Sequence, residues 1–150
     1  MDFIVKQLVT KVSVSDMLVS KAFYETVLGF KLDERYTINS GGNYQTNSYM
    51  QLDASGSFGT SFTIGLFKDI DKPFETMPQT GTVPSFIVDD IHATLHQFLA
   101  EKVVVVPMGT GEGDDKYIVK NTSDLGYVDL FFFFCDPDNN SFVIRQNLDK

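Results

Sequence analysis

The sequence predicts an α+β chain in which one strand–helix–strand unit occurs twice, and three observations predict it. Leu8 to Val14 alternates in the period-two manner of a strand, and Ser15 to Phe30 then reads as cap, helix and helix stop in a single run. The same order returns in the second half: Thr82 to Val88 as strand, Asp89/Asp90 as cap, Ile91 to Glu101 as helix, then Val103 to Val106. Between the two, Asp69 to Thr82 carries Pro73, Pro78 and Gly81 and reads as a linker. One domain of two modules is therefore expected, with module 1 at 4–68, a linker at 69–81 and module 2 at 82–147.

The first strand is expected from Ile4 to Val14, with Leu8, Thr10, Val12 and Val14 under the helix and Val9, Lys11 and Ser13 on the opposite face. In the helix, Val19, Ser20, Phe23, Tyr24, Val27 and Leu28 form the predicted buried stripe. Gly29 stands where a left-handed residue ends a helix, and Phe30 can fold back on the last turn. Strands follow at Phe30–Tyr36, Tyr44–Leu52 and Ser61–Phe67, with a turn at Asn39–Asn43 and a Gly/Ser-rich connection at Ala54–Gly59.

The second helix shows Ile91, Leu95, Phe98 and Leu99 as its stripe and ends at Glu101-Lys102 without a glycine. Met108 to Thr122 is a polar excursion rich in Gly and Asp, of a length that is usually functional or mobile. Val128 to Cys135 is apolar on both faces, which predicts a strand covered on both sides. Phe132 and Phe134 are expected in the core, with Phe131, Phe133 and Cys135 on the face shared by Val143 and Arg145 of the closing strand, Ser141 to Gln146. Asp136 to Asn140 joins the two as a turn.

A chain of 150 residues buries about 68–70% of its unfolded surface. No apolar run approaches the roughly 20 residues of a membrane helix, and Met1 to Lys6 lacks the regions of a signal peptide. The expected address is the cytoplasm. A lone cysteine, Cys135, agrees with a reducing compartment and reads as structural. A net charge of −8, with its twelve basic residues scattered singly, excludes the clustered phosphate contacts of a nucleic-acid binder. The same acidity favours cationic ligands, or simply solubility. Fourteen Phe and no Trp point to aromatic surface beyond the needs of a core.

Several motifs carry less than they suggest. His92 and His96 lie four apart on the second helix, but no third ligand stands at a recognisable spacing, so a solvated helix edge is expected. Asp136, Asp138 and Asn140 imitate the start of a calcium loop, yet the required glycine is Ser141 and the closing glutamate is Asn147. Gly109-Thr110-Gly111-Glu112-Gly113 lacks the Lys-Ser/Thr of a phosphate cradle and has an acidic flank.

The paired modules, Phe23-Tyr24 followed by Val27-Leu28-Gly29-Phe30, and the late Asp136-Pro137-Asp138-Asn139-Asn140 turn resemble the vicinal oxygen chelate superfamily. That group includes glyoxalases, extradiol dioxygenases, fosfomycin-resistance enzymes and bleomycin-resistance proteins. The resemblance runs over roughly residues 4 to 147. It implies two βαβββ modules forming a curled mixed sheet around one cleft, commonly accompanied by a dimer. Metal-using members carry three or four His/Glu ligands facing that cleft. Spacing to Asp16 and Asp90 places two of these positions on Val9 and Val83, and the glutamate after the Asp-Pro-Asp turn falls on Val143. The fourth lies in Ser61–Phe67, nearest Thr63 or Gly65. Valine offers no lone pair, so no metal and no cofactor are expected.

What remains resembles the metal-free bleomycin-resistance-like members. The expected cleft lining is Val9, Lys11, Ser13, Thr63, Phe67, Val83, Ser85, Phe131, Phe133, Val143 and Arg145. Lys11 and Arg145 could fix an anionic or carbonyl group, or snorkel to the rim. The expected function is sequestration of an antibiotic or other aromatic or amphipathic molecule by a cytoplasmic homodimer, with neither nucleic acid nor membrane as partner and no catalytic residue. Two readings stand beside it. One is a metal-dependent enzyme of the glyoxalase or dioxygenase type with ligands at other positions, such as Tyr49, Gln51 or the 108–122 excursion. The other is an interaction module whose aromatic face meets another subunit.

Overall fold

The computed structural model describes Met1 and residues 7–55, 61–78 and 80–149. Expectations at 4–6 in the first strand and at 56–60 in the Gly/Ser connection lie outside the described residues. The chain divides into two compact units, Met1–Phe74 and Glu75–Lys150, each holding one helix and one mixed sheet. The α+β class and the repeated strand–helix–strand order are thus as the sequence indicates.

The first unit runs β1 (Val9–Val14), α1 (Met17–Thr26), β2 (Lys31–Ile38), β3 (Tyr49–Ser55) and β4 (Ser61–Lys68). Its sheet has the order β1-β4-β3-β2, with β1 parallel to β4 and the other pairs antiparallel. Asp16 starts the helix: its Oδ1 accepts from the N–H groups of Leu18 and Val19, both at 3.1 Å. Gly29, at φ 72°, ends it, and the Phe30 N–H then donates back to the Tyr24 carbonyl at 3.0 Å. The predicted faces of β1 hold where packing is tight, since Val12 and Val14 are buried against α1 with Met50, Leu52, Ile64 and Leu66. Leu8, expected beside them, is exposed.

The helix stripe is rotated from the one predicted. Met17, Ser20 and Tyr24 are the buried residues, while Val19 is exposed and Phe23, Val27 and Leu28 lie at the margins. A helix begun at Asp16 points position 17, and with it 20 and 24, at the sheet. The expected start of β3 at Tyr44 also gives way. Tyr44 (φ 54°) and Asn47 (φ 73°) are left-handed, which breaks an extended run until Tyr49.

The second unit runs β5 (Ser85–Ile87), α2 (Ile91–Ala100), β6 (Val104–Val105), β7 (Val119–Thr122), β8 (Val128–Cys135) and β9 (Ser141–Leu148). Its sheet order is β5-β9-β8-β6, with β7 also on β8. Asp90 caps α2 through Ala93 N–H at 2.9 Å, and Gln146 holds the same end by accepting from Ile91 N–H and donating to the Asp89 carbonyl. Ile91, Leu95 and Phe98 are buried as predicted, whereas Leu99 is largely exposed.

β6 pairs with Phe134 and Cys135, and β7 with Val128 to Phe131, so together they hold the place beside β8 that β2 holds beside β3. The sequence pattern predicts one excursion over 108–122 and no strand at 119–122. The chain instead leaves the sheet edge after Val105 and returns at Val119. The phenylalanine excess is largely a packing device here. Phe98 meets Phe132 and Phe134 edge to face at 5.9 and 4.9 Å, and Phe142 stacks with Phe134 and Phe86 at 5.5 and 5.8 Å. Such pairs add about 0.5–1.5 kcal/mol each beyond their area.

Candidate functional site

Each sheet has a second face, turned away from its helix, and the predicted site residues divide between the two. In the first unit the register sets Val9 against Thr63, Lys11 against Gly65 and Ser13 against Phe67, so this part of the predicted lining shares one face. Tyr49, Gln51 and Asp53 extend it from β3, opposite Phe67, Gly65 and Thr63. Sequence reasoning named Tyr49 and Gln51 only for the enzyme alternative and did not include Asp53. The strand boundary placed at Tyr44 hid how these three line up.

This face is polar and internally satisfied. Gln7 Nε2 donates to Thr63 Oγ1 at 2.7 Å, and that hydroxyl donates to Asp53 Oδ1 at 2.7 Å. Thr63 is 2% exposed, so the chain of bonds is needed to bury its hydroxyl. The Tyr49 phenol donates to Gln51 Oε1 at 3.2 Å, and burial, helped by the charge of Asp53, pushes its pKa above the usual tyrosine value. The Tyr49 ring lies across Gly65. A Cβ added at 65 would stand 2.6 Å from the phenol oxygen and 2.8 Å from a ring carbon. Glycine is what allows the ring to lie flat on the strand.

In the second unit, Ser85 pairs with Val143, Phe133 with Val143 and Phe131 with Arg145, which brings five predicted lining residues to one face. Val83, the sixth, precedes β5 and is half-buried. Val143 is buried, Phe131 and Phe133 are half-buried with rings edge to face at 6.0 Å, and Ser85 and Arg145 are exposed. Cys135 is buried beside them as a free thiol, and burial pushes its pKa up to about 11. A thiol held there stays protonated and weakly nucleophilic.

Both predicted cations are paired. Lys11 binds Asp69 and Ser13 and lies 5.5 Å from the centre of the Phe67 ring. Burial works against ionisation of Asp69, but the hydrogen bonds from Lys11 and Ser13 prevail and hold it below the usual carboxylate range. Arg145 reaches Asp129 at 3.3 Å.

The metal implied by the family resemblance does not fit these residues. Lys11 and Ser85 each stand five positions ahead of their helix caps, Asp16 and Asp90, and their register partners are Gly65 and Val143. Register therefore makes Gly65 the counterpart of Val143, and neither offers a donor atom. Val9 and Val83 offer none either. Among the described residues, no group of three His, Cys, Asp or Glu side chains is placed to hold a metal ion. The helical histidines lie on a solvated helix edge, as expected, but they share a partner there. His92 Nδ1 and His96 Nε2 meet the two oxygens of Asp114 at 2.6 and 2.8 Å. The missing third partner was a residue of the 108–122 excursion, which no local spacing could reveal. The Asp136 carboxylate is consumed by Asp138 N–H, Asn140 N–H and the Asn140 side chain, as the turn reading requires.

Comparison with known proteins follows the same lines. The profile of the Glyoxalase/Bleomycin resistance protein/Dioxygenase superfamily matches residues 6–144. No curated protein matches the chain at a significant level. Among solved structures, an integron cassette protein from the mobile metagenome of V. Cholerae is 22% identical with a TM-score of 0.57, over 97% of this chain and 98% of its own. A glyoxalase/bleomycin resistance protein/dioxygenase from Alicyclobacillus acidocaldarius is 17% identical with a TM-score of 0.62, over 96% and 92%. A variant of the fosfomycin resistance protein FosX from Listeria monocytogenes, solved with Mn(II) and 1S,2S-dihydroxypropylphosphonic acid, is 13% identical with a TM-score of 0.63, over 97% and 95%. At these identities the likeness is one of fold. No helix among the described residues is long and apolar enough to cross a membrane.

Proposed function

Since the chain belongs to the glyoxalase/bleomycin resistance protein/dioxygenase superfamily, we propose that it binds a small aromatic or amphipathic molecule without a metal, as a sequestering protein. The observation that carries this reading is the Tyr49 ring lying on Gly65. Where a metal-using relative needs a ligating side chain, this chain has removed the side chain and covered the backbone with an aromatic ring. The proposed lining is the set named from sequence: Val9, Lys11, Ser13, Thr63 and Phe67 in the first unit, and Val83, Ser85, Phe131, Phe133, Val143 and Arg145 in the second.

Two further features support it. The edge-to-face pair of Phe131 and Phe133 leaves half-buried aromatic surface, which suits a planar or apolar ligand group. The pairing of Lys11 with Asp69 and of Arg145 with Asp129 removes the repulsion that two bare cations would exert on a cationic drug. Net charge then acts in favour of such a ligand. A cytoplasmic address, supported by the free buried thiol, and a homodimer complete the proposal.

A second reading, an enzyme holding its metal at other positions, draws on one observation: Asp33 and Gln51 are register partners, so Asp33, Gln51 and Asp53 present oxygen donors on the same face as Tyr49. One experiment separates the two. Melting temperature is measured in EDTA, then with Mn²⁺ or Fe²⁺, then with a panel of cationic and neutral aromatic drugs. A ligand of the folded state raises the midpoint by mass action. The expected outcome is no response to either ion, and a rise with at least one drug that Phe131→Ala or Phe133→Ala removes. A clear rise with Mn²⁺ or Fe²⁺ that EDTA reverses would transfer the assignment to the enzyme.

A further inference from the structure

The excursion between β6 and β7 has a built form that the family-type faces do not use. Its neck is closed by Gly109 N–H donating to the Lys116 carbonyl at 2.9 Å and Gly111 N–H to the Asp115 carbonyl at 3.2 Å. The two glycines are obligatory. A Cβ at 109 would fall 1.9 Å from the Asp115 carbonyl oxygen, and one at 111 would fall 2.6 Å from Asp115 Cβ. At its tip, a 3-10 turn over Gly113–Lys116 is fastened to α2 by His92 and His96, which grip the two oxygens of Asp114. The folded strap shapes a half-open cavity of about 380 Å³, which lies within the size range of small-molecule sites.

The lining of that cavity has three chemistries. Met108, Ile118 and Val119 give an apolar wall, and Thr110 gives a hydroxyl. Asp115 and Lys120 place one negative and one positive charge on the same cavity, and neither has an ion-pair partner among the described residues. Two opposite charges that line one space without closing on each other match a ligand carrying both signs. The apolar wall matches a hydrophobic substituent beside them.

We propose that this cavity is a binding site for small amphipathic zwitterions of the α-amino-acid type, with the ligand ammonium on Asp115, its carboxylate on Lys120 and its apolar group against Met108, Ile118 and Val119. The His92–Asp114–His96 clasp is the positioning device. It holds the turn that carries Asp115, so that less ordering is left to be done when the ligand arrives.

The test is amide-resolved NMR of the full chain titrated with L-leucine, L-methionine and L-phenylalanine. Leucinol and 4-methylpentanoate serve as probes that each lack one of leucine's charges. The expected result is a saturable shift of the Gly109, Gly111 and Lys120 amides with at least one amino acid. Leucinol and 4-methylpentanoate should then bind about tenfold or more weakly. Asp115→Asn should lower leucine to the level of 4-methylpentanoate, and Lys120→Met to that of leucinol, both at exposed positions where folding is not at risk. His92→Ala with His96→Ala should weaken amino-acid binding while the amides of β8 and β9 keep their positions. Absence of saturable shifts with all three amino acids would overturn the proposal. So would equal affinity for leucine and its two singly charged analogues, or binding indifferent to Asp115→Asn and Lys120→Met.

Discussion

Lys102 is the left-handed residue after α2, as Gly29 is after α1, and it stands at φ 60°, where an L side chain crowds its own backbone. The hydrogen bonding closes all the same: Lys102 N–H donates to the Leu99 carbonyl and Val103 N–H to that of Phe98 at 2.9 Å, as Phe30 N–H does to Tyr24. The missing glycine therefore leaves the stop intact and lodges its cost in one residue. Lys102→Gly is expected to raise stability by about 1 kcal/mol, less a fraction for the added freedom of the unfolded chain. Urea unfolding at constant m-value reads this directly, and an unchanged or lowered midpoint would contradict it. Gly65 is the opposite case. Its backbone is ordinary, and only the Tyr49 ring makes glycine necessary there.

At the scale of elements, the His92–Asp114–His96 clasp joins a helix to a loop through one carboxylate. The hydrogen bonds from both histidines hold the Asp114 carboxyl below its usual range. A carboxyl with a depressed folded pKa contributes stability that is fully present above its unfolded value, about 4, and is lost as pH falls through the folded value. Asp114→Asn should therefore cost stability at neutral pH, and the gap between variant and parent should close as both are acidified below pH 4. Denaturant midpoints across that range check the sign. A gap that widens below pH 4 would refute it.

Elements were legible in proportion to how local their signals are. Both helices and the Val128–Cys135 strand follow from neighbours in sequence, and so do the caps to within one residue, Asp16 beside Ser15 and Asp90 beside Asp89. The partition of the four-Phe run follows too, because Phe132 and Phe134 must alternate with Phe131 and Phe133. What escaped depends on pairings between segments, which neither segment displays alone. The β7 strand exists because Val119–Thr122 finds Val128–Phe131 across the Ser123–Tyr127 turn. Asp114 meets helical histidines 18 and 22 residues away, and Tyr49 meets Gly65 only because β3 and β4 pair. The rotated α1 stripe has a different cause: apolar count favoured Val19, whereas the cap fixed the phase.

For the whole molecule, the dominant quantity is the net charge of −8. With Lys11 and Arg145 neutralised by their partners, a cationic amphipathic probe should meet an attractive field and no local repulsion. Its affinity is expected to fall as salt is raised from about 0.01 to 0.15 M, while the screening length contracts from about 30 to 8 Å. An uncharged analogue should be nearly indifferent to salt. Titrations of the pair at two ionic strengths would decide this, and equal salt sensitivity of the two probes would count against it.

Interrupting the strand beside β8 also bears on how the protein keeps to itself at high concentration. A strand at the end of a sheet is a template on which a foreign strand can add, and long flat edges seed fibrils. β2 ends its sheet with a register shift between Asp33 and Ile38 and with Arg35 clamped on Asp33. β6 and β7 end theirs as two fragments of two and four residues separated by the strap. At either place an incoming strand would lose its ladder after a few residues. The strap that shapes a cavity thus also denies this side of the sheet a continuous margin on which aggregation could start.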